Sequence, residues 1–260
     1  MNLLVYKLTL TPLAIGLATA VGRRFGPALG AWLAGIPFTS APVAIFVTLD
    51  HGITFGQVAA AAILAGTASQ AGFALVYSAV ARRLRWPVAL TLGLAAFAVL
   101  TVLLDELQPP PVPALEIVVG AIALSLALMP RVRGAPRPEA PPLSVPVDIA
   151  IRAVIATAFV VVLTALSAQL GPTLAGLVSP LPIFGAVLIV FPHRMQGADA
   201  AVSACRGFLW GLFAATAFGF TLSQLLPTAG LGVAMAAALG AALAVQGASL
   251  LVVRSRSTRG

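Results

Sequence analysis

Two apolar stretches, each long enough to cross a bilayer and each broken by proline, constrain this chain more than anything else in it. The first runs from Gly26-Pro27 to Phe46 and is interrupted at Pro37 and Pro42. The second runs from Gly171-Pro172 to Phe191 and is interrupted at Pro180 and Pro182. They align without a gap at a spacing of 145 residues, Pro27 to Pro172. The same register pairs Pro37 with Pro182 and Phe46 with Phe191, then Gly52 with Gly197, Gly66 with Gly211, Phe73 with Phe218 and Ser78 with Ser223. Apolar composition produces chance Ala and Leu matches, but not a Gly-Pro series in register. Gly/Pro-interrupted hydrophobic segments at matching places in two halves point to the binding site of a secondary transporter.

Lipid is the solvent this composition fits. Charged residues make up 8% of the 260 and hydrophobic ones 60%, whereas a soluble domain carries about 25% charged residues. Strand-like alternation is absent, which argues against a barrel. Runs of near-spanning length bounded by charge or proline fall near 2–20, 26–47, 55–81, 86–104, 112–130, 147–168, 171–192, 199–225 and 228–253. The fold class read from them is an all-α polytopic membrane protein of about nine spanning helices. The first run follows Met1-Asn2 without a basic n-region, so it is read as a retained span and not a cleaved signal.

The net charge of +8 would suggest nucleic acid in a soluble protein; here it reads as topology. Arg23 and Arg24, Arg82, Arg83 and Arg85, Arg131, Arg133 and Arg137, Arg194, and Arg254, Arg256 and Arg259 follow the odd-numbered spans. The loops after the even-numbered spans hold no Lys or Arg, only acids such as Asp50, Asp105 and Glu106. The positive-inside rule then places the N-terminus outside and the C-terminus in the cytoplasm. The expected organisation is a membrane repeat at 1–107, a connecting transmembrane helix at 108–130, a cytoplasmic Pro/Arg-rich linker at 131–146, and a second membrane repeat at 147–260 with a short basic tail. Four spans per repeat with one between them turn the second copy upside down, the inverted-topology plan of secondary transporters.

Chemistry-bearing residues are few. Lys7 and Arg152 lie within spans, and they are themselves 145 residues apart. A cation in hydrocarbon is costly and marks a functional site; snorkelling, or for Arg152 a helical pair with Asp148, is the plainer alternative. Arg206 lies about two turns into the eighth span, with Asp199 on its face as a structural partner. Glu116, outside the repeat, is either a proton-coupling acid or a wetted interfacial one. At the breaks, Pro37 and Pro182 free backbone groups that a membrane tolerates only in a protein-lined or wet cavity. Thr39, Ser40 and Ser179 sit beside those breaks, with Gly185 the mate of Ser40, and Gln70 lies mid-span. These residues are the candidate substrate site, or else the polar lining that satisfies a kinked helix. Gly26 and Gly30, and Gly207 and Gly211, form GxxxG pairs that would let helices approach closely.

Cys205 is the only cysteine, which leaves no disulfide and no cysteine metal cluster. His51 and His193 fall on opposite sides of the membrane in this topology. No phosphate-binding loop, HExxH or Ser/His/Asp arrangement is found, so no enzyme chemistry, cofactor or metal is read.

The second copy, LAGLVSPLPIFGAVLIVF followed by a long Ala/Gly/Phe span, resembles the GlpM-like family of small four-span bacterial inner-membrane proteins. The resemblance covers about 150–250 and, more weakly, 5–105. It implies a fused, inverted pair of such units in a bacterial inner membrane. It associates the chain with glycerol and exopolysaccharide metabolism and brings no catalytic residues. The leading expectation is an inner-membrane transporter of a small anionic or polar solute, in contact with lipid and not with nucleic acid. The alternative is a non-transporting scaffold in envelope polysaccharide or lipid metabolism. Oligomeric state stays open, a homodimer included.

Overall fold

The computed structural model describes residues 16–37, 40–132, 147–151, 153–155 and 181–257, with single residues at 13 and 158. Among them the chain is helical and contains no strand. The elements are α1 (Pro27–Trp32), a 3-10 turn (Leu33–Gly35), α2 (Ser40–His51), α3 (Ile53–Val80), α4 (Trp86–Leu107), α5 (Pro111–Leu128), α6 (Ile183–Gln196) and α7 (Ala198–Ser257). Residues 16–25 are also helical. Four helices are long and apolar enough to cross a membrane: α3, α4, α5 and the 198–251 part of α7. The expected spans 2–20, 147–168 and 171–192 fall largely or partly outside the described residues.

The centre of the molecule is α3. Within its apolar window 72% is buried, against 28% for α4 and 22% for α5. Its sequence explains this, since the buried positions are mostly Gly, Ala, Ser and Thr, including Gly56, Ala60, Gly66, Thr67, Ser69 and Ala71. Small residues let neighbouring backbones approach where lipid removes the usual hydrophobic driving force. The peripheral helices turn branched side chains outward: Val99, Val102 and Leu103 on α4, and Val112 and Leu124 on α5, are all more than half exposed. Such a surface suits hydrocarbon, not water.

The first arm of α7 lies antiparallel to α3. Gly56 sits beside Leu226, Gly219 beside Leu64, and the Arg82 guanidinium binds the Asp199 carboxylate. One index rises as the other falls along the pair. The sequence places a loop between the eighth and ninth spans; the structure makes the turn within the α7 hydrogen-bonding pattern. Gly230, at φ 72° and ψ 170°, breaks α7 there, three residues after Pro227. That conformation suits glycine and few other residues. The second arm then returns along the first, so that Leu226 shares a cluster with Ala234 and Met235, while Trp210 and Leu250 both pack on Leu29 and Trp32.

A glycine-lined seam joins α1 to the first arm of α7. A Cβ on Gly207 would run into the Ala28 backbone, one on Gly211 into the Trp32 carbonyl, and one on Gly35 into the Gly211 backbone. The GxxxG of Gly207 and Gly211 is therefore a backbone-to-backbone contact. Gly30 makes a similar approach to Gly22.

Polar contacts gather at one end of the bundle. Arg82 also donates to the Arg131 carbonyl, Arg206 donates to the Pro130 carbonyl at 3.2 Å, and Arg23 pairs with the fully buried Asp148 at 2.9 Å. Asp148 has a partner across the fold at Arg23, and Arg152 lies outside the described residues. Asp199 pairs with Arg82, and Arg206 donates just beyond the end of α5.

The seam gives a direct test. Gly211→Ala should lower the unfolding midpoint of the detergent-solubilised protein, at a cost of about 1–3 kcal/mol for overpacking. Gly240→Ala, where a Cβ meets nothing within 4 Å, should be neutral or stabilising. Equal midpoints for the two variants would refute the close contact.

Candidate functional site

The break at Pro37 follows from one missing hydrogen. Proline has no N–H to continue the helix, and the turn before it tightens. The Ile36 amide bonds the Leu33 carbonyl at 3.2 Å, an i to i−3 bond. The Trp32 carbonyl gives up its α-helical partner and, as the N-cap of the 3-10 turn, accepts that turn's first bond instead. The Gln246 Nε2 on the second arm of α7 donates to the same carbonyl at 2.8 Å. The Trp32 Nε1 donates to Ser249 Oγ at 2.8 Å, and Ser249 donates to the Gln246 carbonyl at 3.0 Å. The whole group is buried, and Gln246 Oε1 has no partner among the described residues.

Beyond the break the chain resumes as α2 at Ser40, where the Ala41 amide bonds the Pro37 carbonyl at 3.0 Å. A cavity of about 30 Å³ sits in the gap, lined by Gly35, Ile36, Pro37 and Ser40 from the break, Ile63, Thr67 and Gln70 from α3, and Ala215 and Phe218 from α7. It is on the order of one or two water molecules in size. Ser40 is buried and Gln70 half-buried. Thr67 spends its hydroxyl on the Ile63 carbonyl at 3.1 Å. The N-terminal end of α2 adjoins the cavity and adds a positive partial charge. The arrangement can hold a small polar or anionic group by hydrogen bonding.

The second break is built differently. Pro182 (φ −76°, ψ 52°) sits in a tight turn in which the Ile183 amide bonds the Leu181 carbonyl at 2.7 Å, and α6 then starts with the Ala186 amide on the Pro182 carbonyl. Where the first break has Ser40 facing Ile63, the register here gives Gly185 and Phe208. The Phe208 ring fills the space that a side chain at 185 would take. The two breaks adjoin, since Ala34 packs against the Ile183, Phe184 and Val187 cluster.

Of the sequence-derived candidates, Pro37, Ser40 and Gln70 come together around one cavity. Pro182 lies on a separate apolar groove. Arg206 is held at the polar end of the bundle, and Glu116 is exposed on α5. Lys7, Thr39, Arg152 and Ser179 lie outside the described residues. Sequence reasoning missed Gln246, Trp32 and Ser249. The signal was present, for Gln246 is the only amide side chain between 228 and 253 and a polar group there needs a partner. It also missed a buried pair, Tyr77 Oη and His193 Nδ1 at 2.9 Å, whose members lie 116 positions apart.

Comparison with protein-family models, with curated proteins and with solved structures finds no match.

Gln246→Leu should remove the buried bond to the Trp32 carbonyl and cost about 0.5–1.5 kcal/mol. Ser249→Ala, which strips the buried Trp32 Nε1 of its acceptor, should cost about 1–3 kcal/mol. Thermal or denaturant unfolding in detergent measures both, and a silent Ser249→Ala would show that the network does not hold the second arm of α7 to α1.

Proposed function

We propose that the protein is a secondary transporter of a small polar or anionic solute, working by exchange between two inverted repeats. The observation that carries this reading is the polar cavity of Ser40, Thr67 and Gln70 where the Pro37 break meets α3 and α7. Broken helices with polar cavities at a repeat interface are where such transporters bind their substrates.

Correspondences at the 145-residue spacing support the repeat. Gly52 and Gly197 both have positive φ, at 89° and 86°. The Gly52 amide bonds the Thr48 carbonyl, and the Gly197 amide bonds that of His193. Ser78 bonds the Leu75 carbonyl as Ser223 bonds that of Phe220. Leu64 and Leu209, and Phe73 and Phe218, are fully buried. The antiparallel crossing of α3 with its counterpart in α7 is what an in-plane two-fold axis produces. The ion pairs support the topology, because each joins groups that the charge pattern assigns to one side.

The competing reading is a non-transporting scaffold. The small size of the cavity favours it, as does the resemblance to GlpM-like proteins with their polysaccharide association. Flux separates the two. Solutes that raise the unfolding midpoint in a screen of carboxylates and phosphates would be loaded into proteoliposomes. Pro37→Ala with Pro182→Ala should reduce uptake to the level of protein-free liposomes while the protein still folds. Wild-type flux in the double variant, or no flux with any stabilising solute, would defeat the proposal. For topology, Asp105→Cys should react with an impermeant maleimide from outside and Arg83→Cys only from inside, in a Cys205→Ala background. The reverse pattern would overturn the inversion.

A further inference from the structure

We infer that the groove beside the second break binds an anionic phospholipid, its acyl chain along the groove and its phosphate on Arg194. The groove is an apolar trough of about 320 Å³ running between α4, α6 and the residues Ile151 and Ile155. Its wall includes Leu90 and Leu94 on α4, Ile155, and Val187 on α6, and it ends on Pro182. Among the described residues one charged side chain lines it, Arg194, with Trp86 alongside.

Charge and register choose the occupant. Arg82 binds Asp199, just beyond α6, so the start of α4 at Trp86 and the last turn of α6 at Arg194 share one end of the bundle. That end carries the exposed Arg83 and Arg85 as well. A trough that is hydrocarbon along its length, with a guanidinium and an indole at its basic mouth, matches an amphiphile with a phosphate head. Trp marks the depth of the membrane interface, and basic pockets between spanning helices at that depth take anionic headgroups. A neutral solute would leave Arg194 without a counter-charge, and a free phosphate would leave the trough unused. The inference rests on the membrane setting and not on the transport reading.

Native mass spectrometry of the intact protein tests it, with phosphatidylglycerol and phosphatidylcholine supplied together. Wild type should retain phosphatidylglycerol about fivefold over phosphatidylcholine, roughly the worth of one arginine near an anionic surface. Arg194→Gln, an exposed position, should bring the ratio close to one. Ala186→Phe, which fills the trough, should lower retention of both lipids, with a circular-dichroism melt confirming the fold. Inorganic phosphate at millimolar concentration should not displace the lipid. Equal retention of both lipids by wild type, a ratio unmoved by Arg194→Gln, or displacement by inorganic phosphate would overturn the assignment.

Discussion

The Trp32–Ser249–Gln246 hydrogen-bond network is the constraint on which the centre of this protein depends. Inside hydrocarbon no water is available to a buried polar group, and each one left unpaired costs several kcal/mol. Before Pro37 the helix tightens into a 3-10 turn, and Gln246, far along the sequence, donates to the Trp32 carbonyl at its start. The donor can arrive only because α7 doubles back at Gly230 and brings its second arm alongside α1. The turn at Gly230, the Trp32–Ser249–Gln246 network and the break at Pro37 are thus parts of one arrangement.

Close approach is the second requirement, and glycine provides it. Gly35, Gly207 and Gly211 let the broken segment lie backbone against backbone on α7, and α3 presents a run of small residues to the same region. The gap left by the break is then bordered by Ser40, Thr67 and Gln70. At the corresponding place in the second half, Gly185 and the Phe208 ring close the space. Two segments that share a proline at the matched positions 37 and 182 therefore give one polar cavity and one apolar joint. That asymmetry comes from two side-chain exchanges, Ser40 against Gly185 and Ile63 against Phe208.

Much of this was legible in the sequence. Helical class and lipid-facing surfaces follow from run length and scarcity of charge. The break at Pro37 follows from the missing proline N–H, and Pro37, Ser40 and Gln70 line one cavity. What sequence could not supply was partnership across distance. The pairs Arg23–Asp148, Arg82–Asp199 and Tyr77–His193 join residues more than 100 positions apart. Local spacing offers only near partners, Arg152 for Asp148 and Arg206 for Asp199. Gln246 went unread for the same reason: its role depends on a carbonyl that only the fold brings near. The Gly230 hairpin was anticipated as a loop, because helix periodicity does not register a single glycine that reverses the chain.

The central claim is that the gap at Pro37 opens alternately to the two sides of the membrane. Ser40→Cys in a Cys205→Ala background, treated with an impermeant thiol reagent in right-side-out and inside-out vesicles, tests it most directly. The account predicts labelling from both sides, with a saturating solute slowing the reaction from each. Labelling from one side only, or from neither, would contradict it.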